Sequence, residues 1–291
     1  MSGRLLICTD LDRTLLPNGP QAESPGARRH FATLAARPEV TLIYVSGRHR
    51  SLIEAAMAHY RLPSPDFVIG DVGTTIYRVG PTREWRRQAD WEREIAQDWA
   101  GHGHDELLRM LAGLPALRLQ ERSKQNRLKL SFYVPLAQDR EELTERIRER
   151  LTDAGVAASL IWSVDDPAGI GLLDVLPARA SKHHAIEALM AEQGFVLEQT
   201  VFSGDSGNDL EVLTSEVPAV LVANSRPEVR ELARRIAEQS GHGDALYTAR
   251  GGFRGMNGHY AAGILEGIAH YQPHSVAWMG FSNGEKAAEG V

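Results

Sequence analysis

The segment RLLICTDLDRTLLP, residues 4–17, constrains the fold more than any other stretch of the chain. Its apolar part does not alternate with polar residues. A strand that is apolar on both sides must be covered on both sides, which is the situation of a central parallel strand between two layers of helices. The run then stops on Asp10 and Asp12, one residue apart. On extended backbone, residues i and i+2 project to the same side. Two like charges are thus held together where a buried strand ends, an arrangement of use only if something positive sits against it.

The same grammar recurs. VTLIYVSGR, DFVIGDVGTTIY, LLDVLPARASK, TVFSGDSGND and PAVLVANS are apolar runs that end in small or polar residues. Helical stretches separate them, among them SPGARRHFATLAA, with Ser24 as the expected N-cap and Pro25 in the first turn, SLIEAAMAHY and RPEVRELARRIAEQ. The expected class is α/β, with a central parallel sheet and helices on both faces. Residues 83–171 break the pattern. They carry Trp85, Trp91 and Trp99, the strand RLKLSFYV, the charged helix AQDREELTERIRERLTDAG and the strand ASLIWSV. They read as a smaller α+β unit inserted into a core of residues 1–82 and 172–291, with at least two of the three tryptophans filling the small unit's own core. HYAAGILEGIAHY reads as a last amphipathic helix, and the stretch after Pro273 is weakly patterned and expected to be loosely held.

A chain of 291 residues is long enough for such a fold. Its net charge of −6 argues against nucleic acid as a partner, since binders carry a basic excess. Cys8 is the one cysteine, so disulfides and Cys-based zinc sites are out, and it is expected to pack as a small hydrophobe. No apolar run approaches the ~20 residues of a membrane span, and no secretory leader opens the chain, which points to a cytoplasmic protein with no membrane partner. The HGH at 102–104 and the KHH at 182–184 lack i, i+4 histidines with a third ligand and are not read as metal sites.

Strand ends are where open α/β sheets place their sites. Asp10 fits a nucleophile toward phosphorus, and Asp12 a general acid that then serves as base. The pair suits that work if a hard divalent ion, Mg2+, relieves the repulsion, with Asp10, Asp12 and Asp205 as its ligands. Ser46 and Gly47 fit the approach of a phosphate oxygen, while Arg48 fits an anion and solvent equally well. Lys182 opens a helix, where the dipole disfavours a cation; it would neutralise the phosphoryl group and orient Asp10. In GDSGND, residues 204–209, Gly204 and Gly207 permit a tight bend, and Asn208 and Asp209 stand behind Asp205, with Thr14 of D-x-D-x-T in a similar supporting place.

Taken in order, DLDRT, VSGR, Lys182 and GDSGND resemble the haloacid dehalogenase (HAD) superfamily of phosphohydrolases, and the insertion resembles its C2B-type cap. Within it the chain most resembles the sucrose-phosphatases: Arg13 stands where many relatives have the Gly of D-x-D-G-T, and FSGDSGNDLEVL and AVLVANSRPEV look like their last core segments. The resemblance implies a HAD-like Rossmannoid core and a Mg2+-dependent phosphatase acting on sucrose 6-phosphate through an aspartyl-phosphate. Mannosylfructose phosphate and mannosyl-3-phosphoglycerate are alternative substrates, and a non-catalytic sugar-phosphate-binding domain is the alternative of another class. It also implies Asn126, Lys129 and Ser163 as cap residues that meet the sugar, a monomer, and a functional pairing with a glycosyl-phosphate synthase.

Overall fold

A computed structural model describes residues 3–165 and 168–281. Strands β1 (Leu5–Asp10), β2 (Val40–Val45) and β3 (Phe67–Gly70) alternate with helices α1 (Ala27–Ala35) and α2 (Arg50–Tyr60), and β4 (Thr75–Val79) and β5 (Trp85–Arg87) turn back antiparallel. The insertion follows: α3 (Ala89–Ala96), α4 (His104–Met110), β6 (Arg118–Leu119), β7 (Leu130–Val134), α5 (Arg140–Asp153), β8 (Ala158–Asp165) and β9 (Ile170–Pro177). The chain returns through α6 (Lys182–Gln193), β10 (Thr200–Gly204), α7 (Leu210–Leu213), β11 (Ala219–Leu221), α8 (Pro227–Gln239), β12 (Leu246–Thr248) and α9 (Ala261–Tyr271).

Two sheets result. The large one has eight strands in the order β12-β11-β10-β1-β2-β3-β4-β5, parallel from β12 to β3. The small one is antiparallel, in the order β6-β7-β9-β8. Successive residues of β1 feed two apolar layers: Leu5 and Ile7 pack with Phe31, Tyr44, Ile264 and Leu265, while Leu6 and Cys8 face the other way. Each such fully buried side chain contributes roughly 1.5–3 kcal/mol. Cys8 is free and fully buried. The second layer does not stop at the core. It runs from Leu6 through Val72, Ile76, Ala180 and Ile186 into Trp91, Trp99, Phe132 and Leu173, so core and insertion share one apolar cluster.

Several expectations shift. Trp85 and its neighbours form β5 on the edge of the large sheet, and β9 lies wholly in the small sheet. The insertion therefore runs from about residue 89 to 177 rather than 83–171; a three-residue edge strand and a strand cut at its first turn give little periodicity to read. Trp91 and Trp99 are buried, but in the cluster shared with the core rather than in a separate core of the small unit. α1 begins at Ala27 after Gly26, whose φ of +79° breaks the chain direction, and the Ser24 hydroxyl accepts the Asn257 N–H instead of capping the helix. α9 is buried from Ala261 to Ile268, with no solvent face along that span. After Pro273, a 3-10 turn with buried Ser275 and Met279 holds the chain against His30, and residues 282–291 of that weakly patterned stretch lie outside the described residues.

Candidate active site

From β1 the chain moves to one side of the sheet, through β2 and β3, and later returns to the other side through β10. Such a reversal leaves a crevice at the C-terminal strand ends that helices do not fill. Because β1 and β10 pair in parallel, with Thr9 opposite Ser203, the residues that follow them meet in this crevice: Asp10 and Asp12 from one, Asp205 to Asp209 from the other.

The floor is built on α6. Its buried face reads Lys182, Ala185, Ile186, Leu189 and Met190, the spacing of one helical side. The first position of that face is a lysine. Ser181 caps the helix by accepting the His184 N–H, and Gly73 lets the β3–β4 turn press against it. A Cβ on Gly73 would lie 2.5 Å from the Ser181 carbonyl, and its φ is +99°. The Lys182 ammonium, 2% exposed, donates to Asp10 Oδ1 at 2.8 Å, Asp209 Oδ1 at 2.6 Å and Asn208 Oδ1 at 3.3 Å. Asp209 Oδ2 accepts the backbone N–H groups of Asp205 and Ser206, which fixes the bend; a Cβ at Gly204 would meet this carboxylate at 2.7 Å. Burial alone would push the Lys182 ammonium down, but Asp10 and Asp209 outweigh it and hold the amine well above the ordinary lysine value. Burial raises the Asp10 carboxyl, with Lys182 pulling it back and Asp209 and Asp205 pushing further. Burial, with Asp209 beside it, pushes Asp205 up to about 7 against the pull of Arg13 and Lys182.

Three carboxylate oxygens, from Asp10, Asp205 and Asp209, lie within 4.8 Å of one another, and among the described residues this is the one such cluster. Buried, hard oxygen donors of this kind fit Mg2+. Thr14 Oγ1 donates to Asp205 Oδ1 at 3.5 Å. Asp12 departs from the expected ligand set: its side chain is 41% exposed and turned away to Arg48, which donates to both carboxylate oxygens at 2.7 and 2.5 Å, while Asn18 Nδ2 donates to Asp12 Oδ1 at 2.7 Å. Arg48 is paired with Asp12 in this structure rather than left to solvent.

A cavity of about 250 Å³ opens above this floor, lined by Asp10, Asp12, Arg13, Gly47, Arg48 and Asp205 from the core and by Lys124 and Lys129 from the insertion. Ser46 lies behind the lining, fully buried, its Oγ accepting the Arg48 N–H at 3.1 Å. A second cavity of about 340 Å³ shares Arg13, Asp205, Ser206 and Asn208 with the first and reaches Trp162 and Ser163 on β8. Of the three cap residues expected to meet a ligand, two line these cavities and one does not. Lys129 lines the first, its Nζ 3.5 Å from Asp71 Oδ1. Ser163 lines the second. Asn126 is used for docking: its amide donates to Thr74 Oγ1 at 2.9 Å and accepts the Leu128 N–H at 2.8 Å. Asn126 and Lys129 belong to a tight turn before β7, where a strand was expected from Arg127 onward.

Asp71, Asn18 and Asn224 escaped sequence reasoning. A signal for Asp71 existed: VIGDVG at 68–73 repeats the pattern of FSGDSG at 202–207, an apolar strand that ends in Gly-Asp. Asp71 takes φ +51°, a region Asp tolerates better than most side chains.

The sequence model of the sucrose-6F-phosphate phosphohydrolase family matches residues 3–272. A protein of Nitrosococcus oceani, named only as a HAD-like hydrolase, is 53% identical over 290 residues, 99% of this chain and 77% of that one. The mannosylfructose-phosphate phosphatase of Agrobacterium fabrum is 28% identical over 91% of this chain and 96% of its own length. The fold is that of the sucrose-phosphatase of Synechocystis, solved with sucrose and phosphate: TM-score 0.71 at 24% identity, over 92% of this chain and 98% of that one.

Proposed function

The chain belongs to the sucrose-6F-phosphate phosphohydrolase family and is a phosphatase of the HAD type, and from that premise we propose that it hydrolyses sucrose 6-phosphate to sucrose and phosphate. The observation that carries the reading is the Asp10–Lys182–Asp209 lock beneath a cavity whose far wall is basic and contributed by the insertion.

Asp10 Oδ1 is engaged by Lys182, so Oδ2 is the oxygen that attacks phosphorus; the P–O bond to the sugar breaks as the aspartyl-phosphate forms. Lys182 stabilises the charge that gathers on the phosphoryl oxygens and keeps Asp10 aimed. Asp12 protonates the departing sugar oxygen, then takes a proton from the water that cleaves the acyl phosphate. For this, Asp12 must leave Arg48. The incoming phosphate supplies the exchange, since it offers the guanidinium a second bidentate partner. Asp10, Asp205 and Asp209 would hold Mg2+, which when bound offsets the repulsion between these carboxylates and the phosphate. Lys129 and Lys124 bind the phosphate side of the ligand, and Ser163 and Trp162 meet a sugar ring in the second cavity.

Mannosylfructose phosphate is the second reading, favoured by a relative of that activity that matches over nearly its whole length. Phosphate release from sucrose 6-phosphate, mannosylfructose phosphate and mannosyl-3-phosphoglycerate, each with Mg2+ and with chelator, separates them by kcat/KM. A preference for mannosylfructose phosphate overturns the substrate, and turnover that survives the chelator removes the cation. Binding of these esters with no release would make the chain a sugar-phosphate-binding domain.

A further inference from the structure

Arg13 occupies the position where D-x-D-G-T would place glycine, and the structure explains both the glycine and its replacement. The residue takes φ +60°, the left-handed region that a side chain enters at a cost. It is held there from both sides: its N–H donates to Asn18 Oδ1 at 2.7 Å, and its carbonyl accepts Asn224 Nδ2 at 2.6 Å. Asn224 is itself buried and accepts the Tyr260 N–H at 2.8 Å through its other amide atom. The loop is thus clamped to the far side of the sheet, and the Arg13 side chain is returned across Asp205.

There its Nε lies 3.4 Å from Asp205 Oδ2, buried, with no partner that meets hydrogen-bond geometry. A guanidinium N–H in that setting is held by charge alone. Asp10, Asp205 and Asp209 bring three negative charges, of which Lys182 answers one through Asp10 and Asp209. The remaining two match a divalent ion. Arg13 answers one of them from within the chain.

We infer that Arg13 is a resident rival of the divalent cation for Asp205 and holds the metal affinity of this protein down. The inference rests on the reading of Asp10, Asp205 and Asp209 as a cation site. At an effective dielectric constant of about 20, a unit charge this close to a divalent ion alters its affinity at least tenfold. When the cation takes Asp205, the guanidinium is released onto the wall that the two cavities share.

The test is Mn2+ binding to the full chain, followed by the electron paramagnetic resonance of the free ion, in wild type, Arg13→Asn, Arg13→Gln and Arg13→Lys. Asn tolerates the left-handed backbone, and Gln reaches as far as the position of Nε should Asn unsettle the loop. The neutral variants are expected to bind at least about tenfold tighter than wild type, and Arg13→Lys to stay within about threefold of it. Equal or weaker binding by both neutral variants, with wild type binding, overturns the role of Arg13 and leaves the cation site standing. Tight binding by Arg13→Lys overturns the charge argument. Absence of binding in every form overturns the inference and the cation site together.

Discussion

The floor and the cap wall of the same cavity are built by opposite means. Asp10, Lys182, Asp205 and Asp209 come from three distant segments, yet sheet pairing and one helix face bring them into a fully interlocked set of ion pairs and backbone hydrogen bonds. Lys124, Lys129 and Ser163 come from a 3-10 turn, a tight turn and the edge strand β8. The floor is preorganised for charge, where a displaced group loses most of its effect. The wall sits on elements whose side chains can change without disturbing a sheet. On the proposed reading, chemistry is kept where the fold is least adjustable, and selectivity where it is most adjustable.

That contrast can be broken by mutation. Asp10→Asn should lower kcat on the order of 10⁴–10⁶-fold with the thermal transition intact, and a loss below tenfold would remove Asp10 as nucleophile. Asp12→Asn should cost about 10²–10⁴ in kcat and flatten the acid limb of the pH–rate profile; an unchanged limb would place the proton elsewhere. The floor should also mark the stability of the metal-free protein. Asp205 is raised from 3.8 to about 7 in the folded state. Stability is therefore fully present below the ordinary carboxyl pKa and lost as pH rises to about 7, by on the order of 4 kcal/mol. Melting in chelator at pH 4 and pH 8 measures this, and Asp205→Asn should reduce the slope while Asp10, also raised by burial, keeps its own share. On the wall, Lys129→Ala should raise KM about tenfold with kcat within threefold, as expected of a charged contact made before and during reaction. Ser163→Ala should be smaller still, about two- to tenfold in KM, the worth of one neutral hydrogen bond. Cap variants that lowered kcat as floor variants do would erase the distinction.

The same difference governed what could be read from the chain. Asp10, Lys182, Asp205 and Asp209 were legible because each closes an apolar run or opens a helix, and because short spacings leave few geometries. The pairing of Asp12 with Arg48 was not, since 36 residues separate them and only the β1–β2 register brings them together. Nor was the tight turn of Asn126 and Lys129, where an apolar alternation that belongs to β7 continues backward into RLK by composition alone. Arg13 was visible as an odd residue, but its reason was a backbone angle, and a side chain does not announce the φ it is forced to adopt.

The apolar cluster that passes from Leu6 through Val72 and Ile76 to Trp91 and Trp99 makes the insertion a dependency of the core rather than an accessory to it. The Trp91 indole, which donates to the Gly73 carbonyl at 3.0 Å, stitches the two at the turn against which α6 begins. Loops at the mouth of the cavity are free to diverge one residue at a time. A wholesale exchange of residues 89–177 would instead remove Trp91, Trp99, Phe132 and Leu173 from the cluster that Ile76, Ala180 and Ile186 share, and the donor would have to replace them. The junction beneath the rim is thus the part of the molecule that tolerates exchange least.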